Sequence, residues 1–189
     1  IGDHLCQKGL PAEWAKVGLH YQDPYISVVR DAVVFPDGSP GIHHRVLYRS
    51  CDGDLAGVAV LPLMDQRIVL LRHYRHAIGG WSWEIPRGGI EPGADLLQTA
   101  TTELAEEIGA SFSDLHYLGA VHSSTALIQG RVSLFLAELT TLGAPARGEG
   151  IVEAVPFEIS RFEKMVRDSQ ITDSITLSAF IHARLAGLV

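Results

Sequence analysis

The stretch from residue 88 to residue 110 reads GGIEPGADLLQTATTELAEEIGA, and it contains most of the information about the fold and its chemistry. A glycine-rich turn leads into a segment that predicts a helix over residues 94–108. Asp95 stands near the start of this helix, where a carboxylate suits the helix dipole. Gly109 stands just past its end, where a glycine cap belongs.

Three glutamates lie close together near the end of the predicted helix: Glu103, Glu106 and Glu107. Helical positions three and four apart share a face, so Glu103 projects beside both of the others. Clustered carboxylates repel one another unless a positive charge lies between them. Hard divalent cations, Mg²⁺ above all, take such oxygen ligands and keep water and phosphate in their remaining positions. A solvated acidic face is the alternative interpretation, but the flanking glycines favour a metal site.

The segment resembles the Nudix box, which is a glycine, five residues, Glu, seven residues, and then Arg-Glu-apolar-any-Glu-Glu-any-Gly-apolar. With Gly88 as the first glycine, six residues fall on matching positions: Glu103, Leu104, Glu106, Glu107, Gly109 and Ala110. Starting from Gly89 would place Asp95 on the first acidic position but would shift the glutamates out of register. We therefore keep the Gly88 register.

Two positions depart from the box, because its first Glu falls on Ala94 and its Arg falls on Thr102. In the family these two residues brace the loop against the helix, whereas the later glutamates hold the metal. Losing both members of an ion pair leaves no charge unpaired. We therefore interpret the segment as an altered brace around a retained metal site.

The composition limits the classes of protein to consider. The chain has 189 residues, of which 47% are hydrophobic and 20% charged, and its formal net charge is −7. These values predict a single globular domain over residues 1–189, and the acidic balance argues against a nucleic-acid partner. Neither a membrane span nor a signal peptide is visible, and two cysteines suggest no disulfide framework. A cytoplasmic location is the resulting expectation.

Strand and helix signals alternate along the chain after an irregular, polar stretch over residues 1–24. We predict strands over residues 25–35, 43–49, 55–63, 68–74, 81–85, 115–121, 132–139 and 151–157. Besides the central helix, we predict helices over 159–168, with Ser160 as its cap, and over 173–188. This order predicts an α+β fold of the α/β/α sandwich type, built around a mixed β-sheet. The resemblance to the Nudix family implies the same fold.

Several further segments resemble the ADP-ribose pyrophosphatase branch of that family. They are Leu70-Leu71-Arg72-His73-Tyr74-Arg75, Trp83-Glu84-Ile85-Pro86-Arg87-Gly88-Gly89, Val132-Ser133-Leu134-Phe135-Leu136-Ala137 and Ile171-Thr172-Asp173-Ser174-Ile175-Thr176-Leu177. This resemblance implies a Mg²⁺-dependent enzyme, with Mn²⁺ as a substitute, that hydrolyses a nucleoside diphosphate linked to another moiety. ADP-ribose, split to AMP and ribose 5-phosphate, is the leading candidate substrate.

The resemblance also assigns candidate roles. Glu103 and Glu107 are expected to bind the metal with assistance from Glu106, and the backbone carbonyl of Arg87 is a further expected ligand. The general base of this branch often lies on a later loop, for which both Glu149 and Glu153 are candidates.

Substrate contacts are expected from the strand and loop before the box. Arg72 and Arg75 are three residues apart and therefore point to opposite faces of a strand. We prefer Arg75, because the branch uses that position for a phosphate or base contact. Glu84 is expected to orient substrate or metal, or to form a structural ion pair. Trp14, Tyr25, Trp81 and Trp83 are candidates for stacking on an adenine ring.

Two other functions stay open at this point. The altered box could belong to a binding or regulatory module that senses a nucleotide without cleaving it, or the enzyme could act on another nucleotide sugar, dinucleotide or damaged nucleotide. The branch commonly forms dimers through N-terminal strands. Residues 25–60, within an N-terminal region of 1–60, could do so here, and we therefore expect a homodimer.

Overall fold

The computed structural model describes residues 16–48, 55–90 and 93–189. These ranges contain eleven strands: β1 Gly18–Gln22, β2 Ile26–Val34, β3 Pro40–Tyr48, β4 Leu55–Met64, β5 Arg67–Arg75, β6 Gly80–Glu84, β7 Arg87–Gly89, β8 Ser111–His122, β9 Ile128–Gln129, β10 Arg131–Thr141 and β11 Ile151–Glu158. They also contain three α-helices: α1 Leu96–Ile108, α2 Ile159–Arg167 and α3 Ser174–Leu185.

The larger sheet has seven strands and forms the middle layer of the molecule. Its main order is β11-β5-β4-β10-β8, with β6 paired to β5 and β7 paired to β4. Strands β4 and β10 run parallel whereas the other pairs are antiparallel, so the sheet is mixed. Strand β4 is buried on both faces, which explains why it reads as a nearly continuous apolar run.

Helices cover both faces of this sheet. On one face Val58 and Val60 pack in a core with Leu104 of α1. On the other face Leu61 packs in a second core with residues of α2 and α3, including Phe162. The predicted α/β/α sandwich with a mixed sheet is therefore confirmed.

The helix ends follow the capping rules with one exception. Helix α1 begins after Asp95, whose side chain accepts a hydrogen bond from the Gln98 N–H, and ends at Gly109 with φ 58°. A residue with positive φ favours glycine, because a Cβ would be strained there. The prediction that Ser160 caps α2 is wrong, since Glu158 occupies that position without a side-chain bond.

Three strands were not predicted from sequence. Residues 18–22 form β1 instead of an irregular segment, because they pair with β2 although all five residues are exposed. Strands β7 and β9 are three and two residues long and exist only through their partners β4 and β3. Such short segments carry no periodic signal, since one or two alternations do not distinguish a strand from a loop.

The smaller sheet has the order β1-β2-β3-β9. Strand β9 lies in the connection between β8 and β10, so its pairing with β3 joins that connection to the N-terminal hairpin. Trp14 lies outside the described residues. No helix in the described part of the chain is long and apolar enough to cross a membrane.

Candidate active site

Glu107 is the most deeply buried carboxylate of α1. Its Oε2 accepts a hydrogen bond of 3.0 Å from the backbone N–H of Arg87, at the start of β7. Burial, together with repulsion from Glu103 and Glu149, raises the pKa of Glu107 to about 8, although the Arg87 N–H and the charge of Arg75 act in the opposite direction. This side chain therefore lies in a place that disfavours its charge unless a cation is added.

Glu103 lies one turn earlier and is half-buried against Gly88. A Cβ on Gly88 would overlap the Glu103 carboxylate, so a larger residue there would displace that carboxylate from its present position. Burial raises the pKa of Glu103 to about 7, with repulsion from Glu106 and Glu149 adding to the effect. Glu106 itself is exposed at the margin of the group.

The chemistry of these donors fits a hard divalent cation. Carboxylate oxygens are the ligands such ions prefer, and a cation beside Glu103 and Glu107 would offset the cost of burying their charges, which is the main cause of both raised pKa values. Among the described residues, no three His, Cys, Asp or Glu side chains already stand together in a metal-binding arrangement. Two carboxylates, those of Glu103 and Glu107, contact the Arg87–Gly88 segment. Glu106 and Glu149 lie close enough to raise the pKa of Glu103.

A second buried carboxylate, Glu84, lies at the end of β6 and has no exposed surface. Arg75 donates two hydrogen bonds to it, from Nε at 2.9 Å and Nη2 at 3.0 Å. Arg87 donates from Nη2 to the same carboxylate and from Nη1 to Asp173 Oδ1 at 2.9 Å. His73 is also buried, with Nδ1 3.9 Å from Glu84. Burial and the charge of Arg75 lower the pKa of His73, which favours the neutral ring.

A cleft of about 390 Å³ opens beside these groups, and it is lined by residues of both sheets. Its polar and glycine lining consists of Tyr48, Gly57, Arg75, Arg87, Gly88, Gly89 and Ser123, and Val58, Val132 and Ile175 are among its apolar residues. The cleft therefore brings two guanidinium groups next to the loop that contacts the α1 carboxylates. Tyr48 and Ser123 were not predicted as site residues from the sequence. Tyr48 ends β3 and Ser123 lies in the loop after β8, and neither belongs to a motif.

The two candidates for the general base lie in different surroundings. Glu149 ends an exposed 3₁₀ turn, and its charge raises the pKa of both Glu103 and Glu107. Its loop is attached at two points, because the Ala146 N–H donates to the Glu107 carbonyl at 2.8 Å and the Tyr74 N–H donates to the Gly150 carbonyl at 3.0 Å. The structure therefore brings Glu149 into the acidic group.

Glu153 is an exposed residue of β11, paired in register with Arg72 of β5. The Arg72 guanidinium lies over the rings of Trp83 at 5.1 Å and Trp81 at 6.0 Å. Trp83 packs against the core beneath α2 and α3, whereas Leu71, the neighbour of Arg72, packs against the core beneath α1. Arg72 and Trp83 are therefore on the opposite face of the sheet from the acidic group.

The match to a known family follows the same stretch of chain as the site. The model of the NUDIX domain matches residues 54–170. The chain belongs to the Nudix family. The resemblance to the Nudix family inferred from the box is therefore confirmed.

Two characterised Nudix relatives act on ADP compounds according to their names. The ADP compounds hydrolase NudE of Escherichia coli (strain K12) is 28% identical over 96 residues, which is 50% of this chain and 50% of that protein. The chain thus aligns with only about half of NudE's length. The ADP-ribose pyrophosphatase of Bacillus subtilis (strain 168) is 28% identical over 132 residues, 68% of this chain and 71% of that protein.

A solved structure supports the Nudix fold independently of sequence. A crystal structure of an ADP compounds hydrolase superposes with a TM-score of 0.76 at 19% identity, covering 92% of this chain and 95% of that one. At this identity the match shows the fold alone. It covers a larger share of the chain than the family model, which matches residues 54–170.

Proposed function

We propose that this protein is a Mg²⁺-dependent pyrophosphohydrolase of a nucleoside diphosphate linked to another moiety, with ADP-ribose as the leading substrate. The observation that carries the proposal is the pair Glu103 and Glu107, two uncompensated carboxylates beside a cleft lined by arginines. A diphosphate brings negative charge to the same place, so acidic ligands and an anionic substrate need a cation between them. The names of the two relatives favour an ADP compound.

In this proposal Glu103 and Glu107 hold Mg²⁺, with Glu106 assisting, and Mn²⁺ can replace it. The bound ion would supply Lewis acidity toward a phosphate oxygen and a more acidic water. Arg75 contacts the phosphates, because a guanidinium has five N–H donors and its two bonds to Glu84 occupy only two of them. The pairing with Glu84 fixes the direction of the guanidinium before the substrate arrives.

Glu149 is our choice for the general base. It is exposed to water and lies within electrostatic reach of both glutamates of the proposed metal site. Its loop is tied to α1 and to β5, so its position is set by the same elements that set the metal site. Glu153 would need to reach around the sheet from its pairing with Arg72.

Hydrolysis of a substrate panel with Mg²⁺ or Mn²⁺ tests this function. The panel contains ADP-ribose, diadenosine polyphosphates, nucleoside diphosphate sugars, NADH and nucleoside triphosphates. We expect release of AMP from ADP-ribose that is lost in Glu107→Gln and kept in Glu158→Gln, an exposed glutamate of β11. Turnover of another panel member but not of ADP-ribose would reassign the substrate.

A nucleotide-binding module is the second candidate, and the departures at Ala94 and Thr102 favour it. In that case the protein binds Mn²⁺ and ADP-ribose but turns over no compound. The proposed homodimer forms through N-terminal strands within residues 25–60, among which β2 and β3 belong to the smaller sheet. Light scattering on the purified chain measures the mass, and a value near 20.5 kDa would contradict the dimer.

A further inference from the structure

Three backbone groups at the short connection between β6 and β7 bind three different elements. The Ile85 N–H donates to Thr176 Oγ1 of α3 at 3.1 Å, and the Pro86 carbonyl accepts from the Val60 N–H of β4 at 2.9 Å. The Arg87 N–H donates to Glu107 of α1. Proline itself has no N–H to satisfy. The connection is thus held between helices on the two faces of the sheet.

The Arg87 side chain extends this arrangement to the last helix. Its guanidinium lies between two acids, Glu84 at the end of β6 and Asp173 at the start of α3. Asp173 has a second role, because its Oδ2 accepts from both the N–H and the hydroxyl of Thr176, at 2.9 and 2.7 Å. The Asp173 carboxylate therefore caps α3 and also forms an ion pair with Arg87.

We propose that Arg87 is a positioning residue, whose guanidinium, clamped between Glu84 and Asp173, fixes the peptide that binds Glu107 and so couples the start of the last helix to the metal site. The inference rests on the proposed metal site for its functional part. Its structural part is independent of any ion, because it concerns the hydrogen bond between the Arg87 N–H and Glu107.

The geometry favours clamping over a direct contact between Arg87 and phosphate. A planar guanidinium can bond two carboxylates along two edges, which a lysine ammonium, a compact point charge, cannot reproduce. Arg87 uses Nη1 and Nη2 for this purpose. Groups that orient a ligand-bearing segment commonly change metal affinity about 10- to 100-fold when they are altered.

Asp173→Asn is the decisive variant. Asparagine caps helices as well as aspartate does, so α3 keeps its start while the charge that grips Arg87 is removed. Asp168→Asn is the matched control, since Asp168 forms an exposed ion pair with Lys164 at the end of α2. Both changes remove one carboxylate from the same part of the chain.

Two measurements on the 189-residue chain test the inference. Amide exchange by NMR, in metal-free protein, reports the Arg87 N–H, and electron paramagnetic resonance with Mn²⁺ reports the metal affinity. We expect Asp173→Asn to speed exchange of the Arg87 amide and to weaken Mn²⁺ binding by about 10-fold each. Asp168→Asn should change neither quantity. Wild-type behaviour of Asp173→Asn in amide exchange would overturn the inference.

Arg87→Lys separates positioning from phosphate contact by steady-state kinetics. A positioning role predicts a lower kcat with a nearly unchanged KM, whereas loss of a phosphate contact raises KM. Arg67→Lys, which alters an exposed pair with Glu158, serves as the control. If wild-type protein binds no Mn²⁺ and turns nothing over, the proposed function fails, and the exchange of the Arg87 amide alone decides the inference.

Discussion

Glu84 and Glu107 are both buried carboxylates near the same loop, but their surroundings are opposite. Glu84 receives hydrogen bonds from two guanidinium groups, those of Arg75 and Arg87. Glu107 receives one backbone N–H and faces the like charge of Glu103. The two guanidinium groups compensate the charge of Glu84, whereas the surroundings of Glu107 favour its uncharged form.

The comparison shows how burial can serve either stability or binding. A buried charge is costly unless it is paired, and breaking a pair leaves the partner uncompensated. Glu84 is paired in the folded chain, and its carboxylate holds the guanidinium groups of Arg75 and Arg87 in position. Glu107 does not, and burial raises its pKa to about 8. The missing compensation is what a metal ion would provide, so predictions for the two residues diverge.

The largest expected effect is the loss of activity in Glu107→Gln. If Glu107 is a ligand of the catalytic ion, as we propose, its removal should lower kcat/KM by at least about 100-fold, since metal catalysis contributes several kcal/mol. The metal-free protein should melt at the same or a higher temperature, because one repelling charge is gone. Activity assays and melting of the chelated protein check both parts. A lower melting temperature together with full activity would contradict the proposal that Glu107 binds metal whereas Glu84 stabilises the fold.

Glu84→Gln should instead reduce stability. The change leaves Arg75 and Arg87 without their shared anion, and we expect a loss of about 2 kcal/mol in the free energy of unfolding. Urea denaturation of the metal-free protein measures it. The control is Glu158→Gln, which alters an exposed pair and should stay within about 0.5 kcal/mol. Equal stability of both variants would mean that the Glu84 cluster contributes nothing net.

The pH dependence of stability should reveal the uncompensated pair. The folded-state pKa values of Glu103 and Glu107 are raised to about 7 and about 8, above the ordinary value of 4.5. The folded protein therefore binds protons more tightly than the unfolded chain, and this contribution to stability falls as pH rises from about 4.5 to 8.

Thermal melts of chelated protein between pH 5 and pH 8.5 measure this effect. The melting temperature should fall toward the alkaline end, and saturating Mg²⁺ should remove most of the fall, because the ion binds the ionised form. The double variant Glu103→Gln, Glu107→Gln should show a flatter profile. An identical slope in this variant would assign the pH dependence to other groups.

The smallest effect is expected for Thr102→Arg. Thr102 is exposed on α1 and Ala94 offers no acid for a new arginine, so kcat/KM should stay within a few-fold of wild type. Assays with ADP-ribose measure it. A large gain would show that the native site is crippled by the altered brace, which would favour the binding module.

The strongly periodic and capped segments were predictable from local signals. Helix α1 was predicted two residues too long at its start, because Asp95 is its cap. The long buried strands β4 and β10 were predicted to within a few residues. Strand β1 was missed because its five residues are all exposed and depend on pairing with β2. Local pattern therefore succeeded where burial is regular and failed where a partner strand decides.

The residues of the candidate site likewise differ in whether the sequence alone could predict their neighbours. Helical spacing alone put Glu103 beside Glu107. No local signal joined Asp173 to Arg87, which are 86 residues apart and meet only in the folded chain. The choice between Glu149 and Glu153 also needed the fold, because it depends on which face of the sheet each residue approaches.

The sequence by itself determined the Nudix box, the acidic face of α1, and the order of the three helices and of the eight longer strands other than β1, because these depend on residue spacing within one element. Only the tertiary structure decided that the charge of buried Glu84 is compensated by arginines and that the charge of buried Glu107 is not. Compensation of a charge depends on groups that lie within a few ångströms, and those groups come from β5, β6, β7 and α3. The difference between Glu84 and Glu107 therefore comes from their neighbours in the folded chain and not from their positions along the sequence.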